Sequence, residues 1–147
     1  FNRARKNDNN LNVAISNKSK KIKFYYRKKI NMLNTINKKF AKNSFRKGFK
    51  TGSIQSQTLN SILSKSKFKN KKIDFLNIDI EGNEINALES FNLKKYSPKL
   101  ICIEIHNNTS GRNTKDYFKN DPIYKFLCKK NYKYIWNNEF SYIFRVK

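Results

Sequence analysis

The residues of this 147-residue chain best suited to chemistry fall in two short stretches. The first is Asp79-Ile80-Glu81-Gly82-Asn83-Glu84, three carboxylates grouped around a glycine. The second is Glu104-Ile105-His106, and His106 is the only histidine in the chain. Carboxylates and imidazole are the side chains that take up or deliver protons at working pH. Asp79, Glu81 and Glu104 also offer hard oxygens to a divalent cation, although this pattern alone assigns no metal. Asp79 and Glu81 are two residues apart, so on an extended chain they share a face. Gly82 permits a sharp exit into a helix and lets a ligand approach the backbone. Taken alone, D-x-E-G also suits an acidic helix cap, because a helix N-terminus tolerates negative charge. His106 alone suits a satisfied loop histidine. Glu104 is harder to explain in that way. It lies inside the apolar run Leu100-Ile-Cys-Ile-Glu-Ile105, and a buried carboxylate needs a partner or a purpose.

These side chains need elements to hold them. Ile73-Asp-Phe-Leu-Asn-Ile-Asp-Ile80 predicts a strand, ended by Gly82. Asn83 to Phe91 predicts a helix, with Ile85, Leu88 and Phe91 spaced along one side. Pro98 bars its continuation. Leu100–Ile105 predicts a strand buried on both faces in a parallel sheet, and Lys99 before it reads as surface. Asp121-Pro122 fits an N-cap and first helical position. Ile123, Tyr124, Phe126 and Leu127 give that helix its apolar face, and Asn131 can end it. Tyr132–Trp136 and Ser141–Val146 predict two strands around a polar turn at Asn137-Asn138. Upstream, residues 11–26 read as a hairpin or adjacent extended pieces. Residues 27–57 carry little signal, with Gly48 and Gly52 marking a loop. Thr58 starts a short helix that aligns Leu59, Ile62 and Leu63, and Ser64 to Lys72 is a basic linker. The order predicts an α/β fold ending in an antiparallel hairpin. In open α/β sheets the ligand site lies beyond the carboxyl ends of the strands. Asp79, Glu81, Glu104 and His106 are therefore expected along one rim.

Composition limits the alternatives. The length suits one domain, and 37% hydrophobic residues suffice for a core. No stretch approaches the roughly 20 apolar residues of a membrane span, and residues 1–30 hold no apolar signal core. Lys+Arg total 33 against 10 acids, for a formal charge of +23. The charge is uneven. Residues 1–72 carry 21 basic residues and one acid, whereas residues 73–147 carry 12 and nine. A basic nucleic-acid or anionic-surface module is the alternative this raises. Against it, Arg, the better phosphate and guanine ligand, numbers only six beside 27 Lys. Lys, Asn, Ile, Phe and Tyr share AT-rich codons, so a low-GC genome accounts for the bias on any fold. Cys102 and Cys128 lack zinc or redox spacing and read as buried reduced thiols of a cytoplasmic protein.

The stretch IDFLNIDIEGNEINALESFNLKKYSPKLICIEIH, residues 73–106, resembles the core of the FkbM-type methyltransferases. The family pattern is a strand ending in D-x-E-G-x-E, a helix, a Pro-Lys pair and an apolar strand ending in Glu. Asp79, Glu81, Gly82, Glu84, Pro98 and Glu104 match it. VAISNKSKKIKFYY (13–26), TLNSIL (58–63) and YKFLCKKNYKYIW (124–136) resemble flanking elements. Asn77 departs from a Lys found in many members, and Asn60 from the usual Asp of the T-L-D element. The resemblance implies a Rossmann-like class I methyltransferase fold with S-adenosylmethionine as cofactor. It implies O-methylation of a sugar or other hydroxylated small molecule, which would be the partner. By this resemblance Asp79, Glu81 and His106 are the catalytic candidates. Asp79 would position the donor or acceptor, and Glu81 or His106 would act as base. Ser16, Asn17, Asp79 and Gly82 are expected at the cofactor, with Ser16 and Asn17 near the adenine. Glu84 and Glu104 are expected at the acceptor.

The family's first two strands and glycine-rich loop would precede residue 1, and the chain starts at Phe1. The expectation is therefore a fragment of a longer methyltransferase, inactive alone. Its residues 1–72 should be loosely attached and residues 73–147 packed, because the absent strands would lie between these parts. A third reading is a degenerate member acting only as a partner subunit.

Overall fold

The computed structural model describes residues 4–28, 31–106 and 117–147. Its strands form two mixed sheets. In the first, β1 (Ala14–Ile15) and β2 (Lys21–Tyr26) flank β3 (Lys50–Gln57), parallel and antiparallel to it respectively. In the second, β4 (Phe75–Ile78), β5 (Leu100–Glu104), β7 (Ser141–Val146) and β6 (Tyr132–Asn137) lie in that order. β4 and β5 are parallel, with Phe75 opposite Leu100, and β7 runs antiparallel to both its neighbours. The fold is mixed α/β, and its sheet ends in the expected antiparallel hairpin.

The first sheet departs from expectation. Residues 11–26 do not form a hairpin, because β3 is inserted between β1 and β2. Gly52 lies inside β3 and not in a loop. Periodicity missed this strand because its inward positions are Gly52, Ile54 and Ser56, of which only one is a large apolar side chain. Gly52 lies against the Tyr26 ring, 3.4 Å from where a Cβ would stand, and puts no apolar side chain at an inward position. Ser56 is fully buried because its hydroxyl donates to the carbonyls of Lys18 (2.7 Å) and Lys20 (2.8 Å). Helix α1 (Lys38–Ser44) was also without an apolar signature. Asn37 caps it, its Oδ1 accepting from the Lys39 and Phe40 amides.

The second half follows its sequence signals closely. Thr58 caps α2 (Leu59–Ser64) by accepting from the Ser61 amide at 3.0 Å. Helix α3 (Glu84–Glu89) is shorter than expected, and a separate turn, α4 (Leu93–Tyr96), follows it under an Asn92 cap. Ser97, at positive φ, and Pro98 then close that helix. Asp121 caps α5 (Pro122–Lys129) through the Ile123 amide at 2.8 Å. Asn137 ends β6 and does not belong to the turn, which is held by Asn138 Oδ1 accepting from the Phe140 and Ser141 amides.

Two apolar clusters result. The larger is built around Leu88, Ile101, Ile103, Ile105, Leu127 and Phe144, all fully buried, with α3 and α5 supplying their shares. The smaller holds Tyr25, Ala41 and Phe45. Cys102 and Cys128 are free thiols, half-buried and not fully buried. Lys99 is exposed as expected, paired with Asp74 at 2.7 Å.

Candidate active site

β4 stops at Ile78, so the D-x-E-G segment is a loop and not the last turn of a strand. The expected shared strand face for Asp79 and Glu81 is therefore replaced by a sharper geometry. Glu81 has φ +59° and Gly82 φ +90°. A non-glycine residue in the left-handed region is strained and persists only where its surroundings fix it. Four side chains do so. The carboxylate of Glu84, 4% exposed, accepts from the Ile80 amide at 3.1 Å and the Gly82 amide at 3.0 Å. Thr35 donates its hydroxyl to the Glu81 carbonyl at 2.7 Å, and Asn37 Nδ2 donates to the Gly82 carbonyl. Phe40 completes the clamp. A Cβ on Gly82 would come within 3.1 Å of Asn37 and Phe40, so only glycine fits there.

Parallel pairing of β4 and β5 brings the second stretch alongside the first. Glu104 ends β5, and His106 follows two residues later. Glu104 Oε2 and His106 Nε2 lie 3.0 Å apart. One ligand atom each from Glu81, Glu104 and His106 lies within 4.8 Å of the others. The His106 ring packs between Phe40 and Phe140, at centroid distances of 5.0 and 6.5 Å. Asp79 lies within hydrogen-bonding reach of Glu104. The expected rim of Asp79, Glu81, Glu104 and His106 is thus assembled, with Glu84 beneath it as the strut of the loop.

Crowding of carboxylates changes their protonation. Burial, then the charges of Asp79 and Glu84, push the Glu81 carboxyl up to about 7. Burial and the charges of Asp79, Glu81 and Glu84 push Glu104 up to about 8. Like charges this close cannot all ionise, so at neutral pH part of the rim holds a proton.

A cavity of about 580 Å³ opens beside the rim. Asp79, Ile80, Glu81 and Asn83 form one wall, and Val13, Ala14, Ile15 and Ile54 face them from the first sheet. Asn83 Nδ2 donates to the Ile15 carbonyl at 2.7 Å and ties the walls together. Ser16 and Asn17 lie just past this wall. The Ser16 amide donates to the Gln57 carbonyl, and Asn17 Nδ2 donates to Asn86 Oδ1, both at 3.0 Å. No Lys or Arg lines the cavity among the described residues. Thr35, Asn37, Phe40 and Asn83 escaped sequence reasoning as site residues. The cap pattern of Asn37 ahead of Lys-Lys-Phe-Ala was the one available signal for the first three.

Residues 1–134 match the family model described as the Methyltransferase FkbM domain. No curated protein and no solved structure matches the chain.

Proposed function

Since the chain belongs to the FkbM methyltransferase family, we propose that the reaction it serves is S-adenosylmethionine-dependent O-methylation of a sugar or other hydroxylated small molecule. The observation that carries this reading is the acidic rim of Asp79, Glu81 and Glu104 with His106, at the carboxyl ends of parallel strands beside a cavity. About 580 Å³ falls within the range of small-molecule sites, roughly 300–1,000 Å³. Its walls suit the donor, with apolar Val13, Ala14 and Ile15 opposite anionic Asp79. When bound, S-adenosylmethionine supplies an electrophilic methyl on a cationic sulfur.

This chain's residues then divide the work. Asp79, exposed at the cavity wall, provides a fixed negative charge toward the cation. Gly82, without a side chain, allows backbone approach, and Ser16 and Asn17 serve the adenine end. Glu81, held near neutral pKa, is the base for the acceptor hydroxyl, with His106 as its alternative. Glu104, which holds its proton to about 8, donates a hydrogen bond to an acceptor oxygen, and Glu84 acts on the acceptor by fixing the Glu81 loop.

The test is methyl transfer by the full-length protein from labelled donor to a panel of sugars and other hydroxylated compounds. Asp79→Asn should lower turnover by about 100-fold or more while leaving the far-UV circular dichroism spectrum unchanged. Undiminished turnover would remove Asp79 from the reaction.

A further inference from the structure

We propose that Glu81, Glu104 and His106 form a binding site for one divalent transition-metal ion, of the Mn²⁺ or Fe²⁺ type. The site itself is read from geometry, and its use on the acceptor rests on the methyl-transfer reading above. Three donor atoms lie within 4.8 Å of one another, close enough to converge on one ion after small side-chain adjustments. The decisive detail concerns Glu104 Oε2 and His106 Nε2. They are 3.0 Å apart, yet both are buried and neither makes a hydrogen bond. An N–H directed at the oxygen would register as one at that distance. The Nε2–H axis therefore does not point at Oε2. With metal–ligand bonds of about 2.1 Å, adjacent ligands of an octahedral ion stand about 3.0 Å apart. Orphaned buried polar atoms are rare in native folds and call for a partner.

Preorganisation supports the same reading. Glu81 is held in a left-handed conformation by Thr35 and by the Glu84 strut. His106 is fixed between Phe40 and Phe140. Asp79 lies beside Glu104, where it can orient a ligand or receive a metal-bound water. Crowded carboxylates leave a concentration of negative charge that a divalent cation relieves. Two carboxylate oxygens with one imidazole nitrogen suit Mn²⁺ or Fe²⁺ better than Mg²⁺, which prefers oxygen, or Cu(I), which prefers sulfur. Three protein ligands leave about three octahedral positions open. Of the three ligands Glu81 lines the cavity, so an acceptor oxygen would reach the ion from the Glu81 side. There the ion would act as a Lewis acid and lower the pKa of a bound hydroxyl. Glu81, ligating through one oxygen, would keep the other as base, and His106, its Nε2 occupied, would no longer serve as the alternative.

The chain has one histidine, which makes the test direct. Untagged full chain, stripped with chelator, is titrated with Mn²⁺ and followed by electron paramagnetic resonance and calorimetry. One tightly held Mn²⁺ per chain is expected. Its pulsed spectrum should carry a nitrogen coupling from a single imidazole, which can only be His106. Glu104→Gln and His106→Ala should each weaken binding at least about tenfold, whereas Asp74→Asn, at an exposed acid, should not. No stoichiometric binding, or bound Mn²⁺ without nitrogen coupling, would overturn the site whether or not any variant folds. No methyl donor enters this experiment. A bound ion in a protein that transfers no methyl group would leave the site standing and sink only the proposed reaction.

Discussion

Glu81 concentrates the chemistry at the scale of single residues. Its backbone is strained, its carboxyl is half-buried, and its neighbours Asp79 and Glu84 oppose its ionisation. The same crowding acts on Glu104. In the unfolded chain both acids titrate near 4.5, whereas in the fold they hold their protons to about 7 and about 8. Between those values the folded state binds more protons than the unfolded state. Stability therefore falls as pH rises through this window. The groups facing the pair are Asp79 from the end of β4, Glu84 from α3 and His106 from beyond β5. With chelator present, the denaturation midpoint should drop between about pH 5 and pH 8. The drop should shrink in Glu104→Gln. A midpoint that rises across the window would contradict it.

At the scale of elements, the loop after β4 depends on a helix far away in sequence. Asn37 does two things with one side chain. Its oxygen caps α1 by accepting from the Lys39 and Phe40 amides, and its nitrogen donates to the Gly82 carbonyl. Asn37→Ala loses both and should cost about 1–2 kcal/mol in thermal or chemical unfolding. Asn37→Asp keeps the cap and loses the donor, placing a carboxylate oxygen against a carbonyl. Hydrogen exchange by mass spectrometry should then quicken in residues 79–84 while α1 stays protected. Equal behaviour of the two variants would show that the tether to Gly82 adds nothing beyond the cap. Helix α2 is fastened in a comparable way, its Leu59 amide donating to Ser90 Oγ at 3.0 Å and Asn60 accepting from the Asn92 amide at 2.8 Å.

At the scale of the molecule, apolar burial is unevenly shared. The large cluster takes all its buried members from between Ile78 and Phe144, whereas the first sheet rests on Tyr25, Ala41 and Phe45. The ties from that sheet and its loops to the site are largely single hydrogen bonds, those of Thr35, Asn37 and Ile15 among them. Burial of apolar area is the main source of stability, so local opening should be easier in the first sheet. Backbone amides of β2 and β3 should exchange faster than those of β5 and β7. Equal protection would show that residues 1–72 fold as one unit with residues 73–147. The charge asymmetry follows the same division. Lysines crowd the first part, and Asp79 and Glu81 of the acidic rim line the cavity.

The sequence alone located the strands of the second sheet and most of the helices around it, α4 excepted, because their cores are β-branched or 3.6-periodic and their ends carry Thr58, Asp121 and Pro98. It also determined that D-x-E-G and E-x-H would meet, since parallel strands bring their carboxyl ends to one edge. Tertiary structure decided the rest. β3 is recognised only by what it packs against, since Ser56 is buried through hydrogen bonds and Gly52 carries no side chain to mark an inward position. Glu84 appeared to be a ligand group, and only the fold shows its carboxylate turned inward to hold two backbone amides. Thr35, Asn37 and Phe40 stand more than 40 residues from the loop they fix. A contact across that separation leaves no periodic trace in the chain, because it depends on two surfaces meeting and not on the local pattern of either.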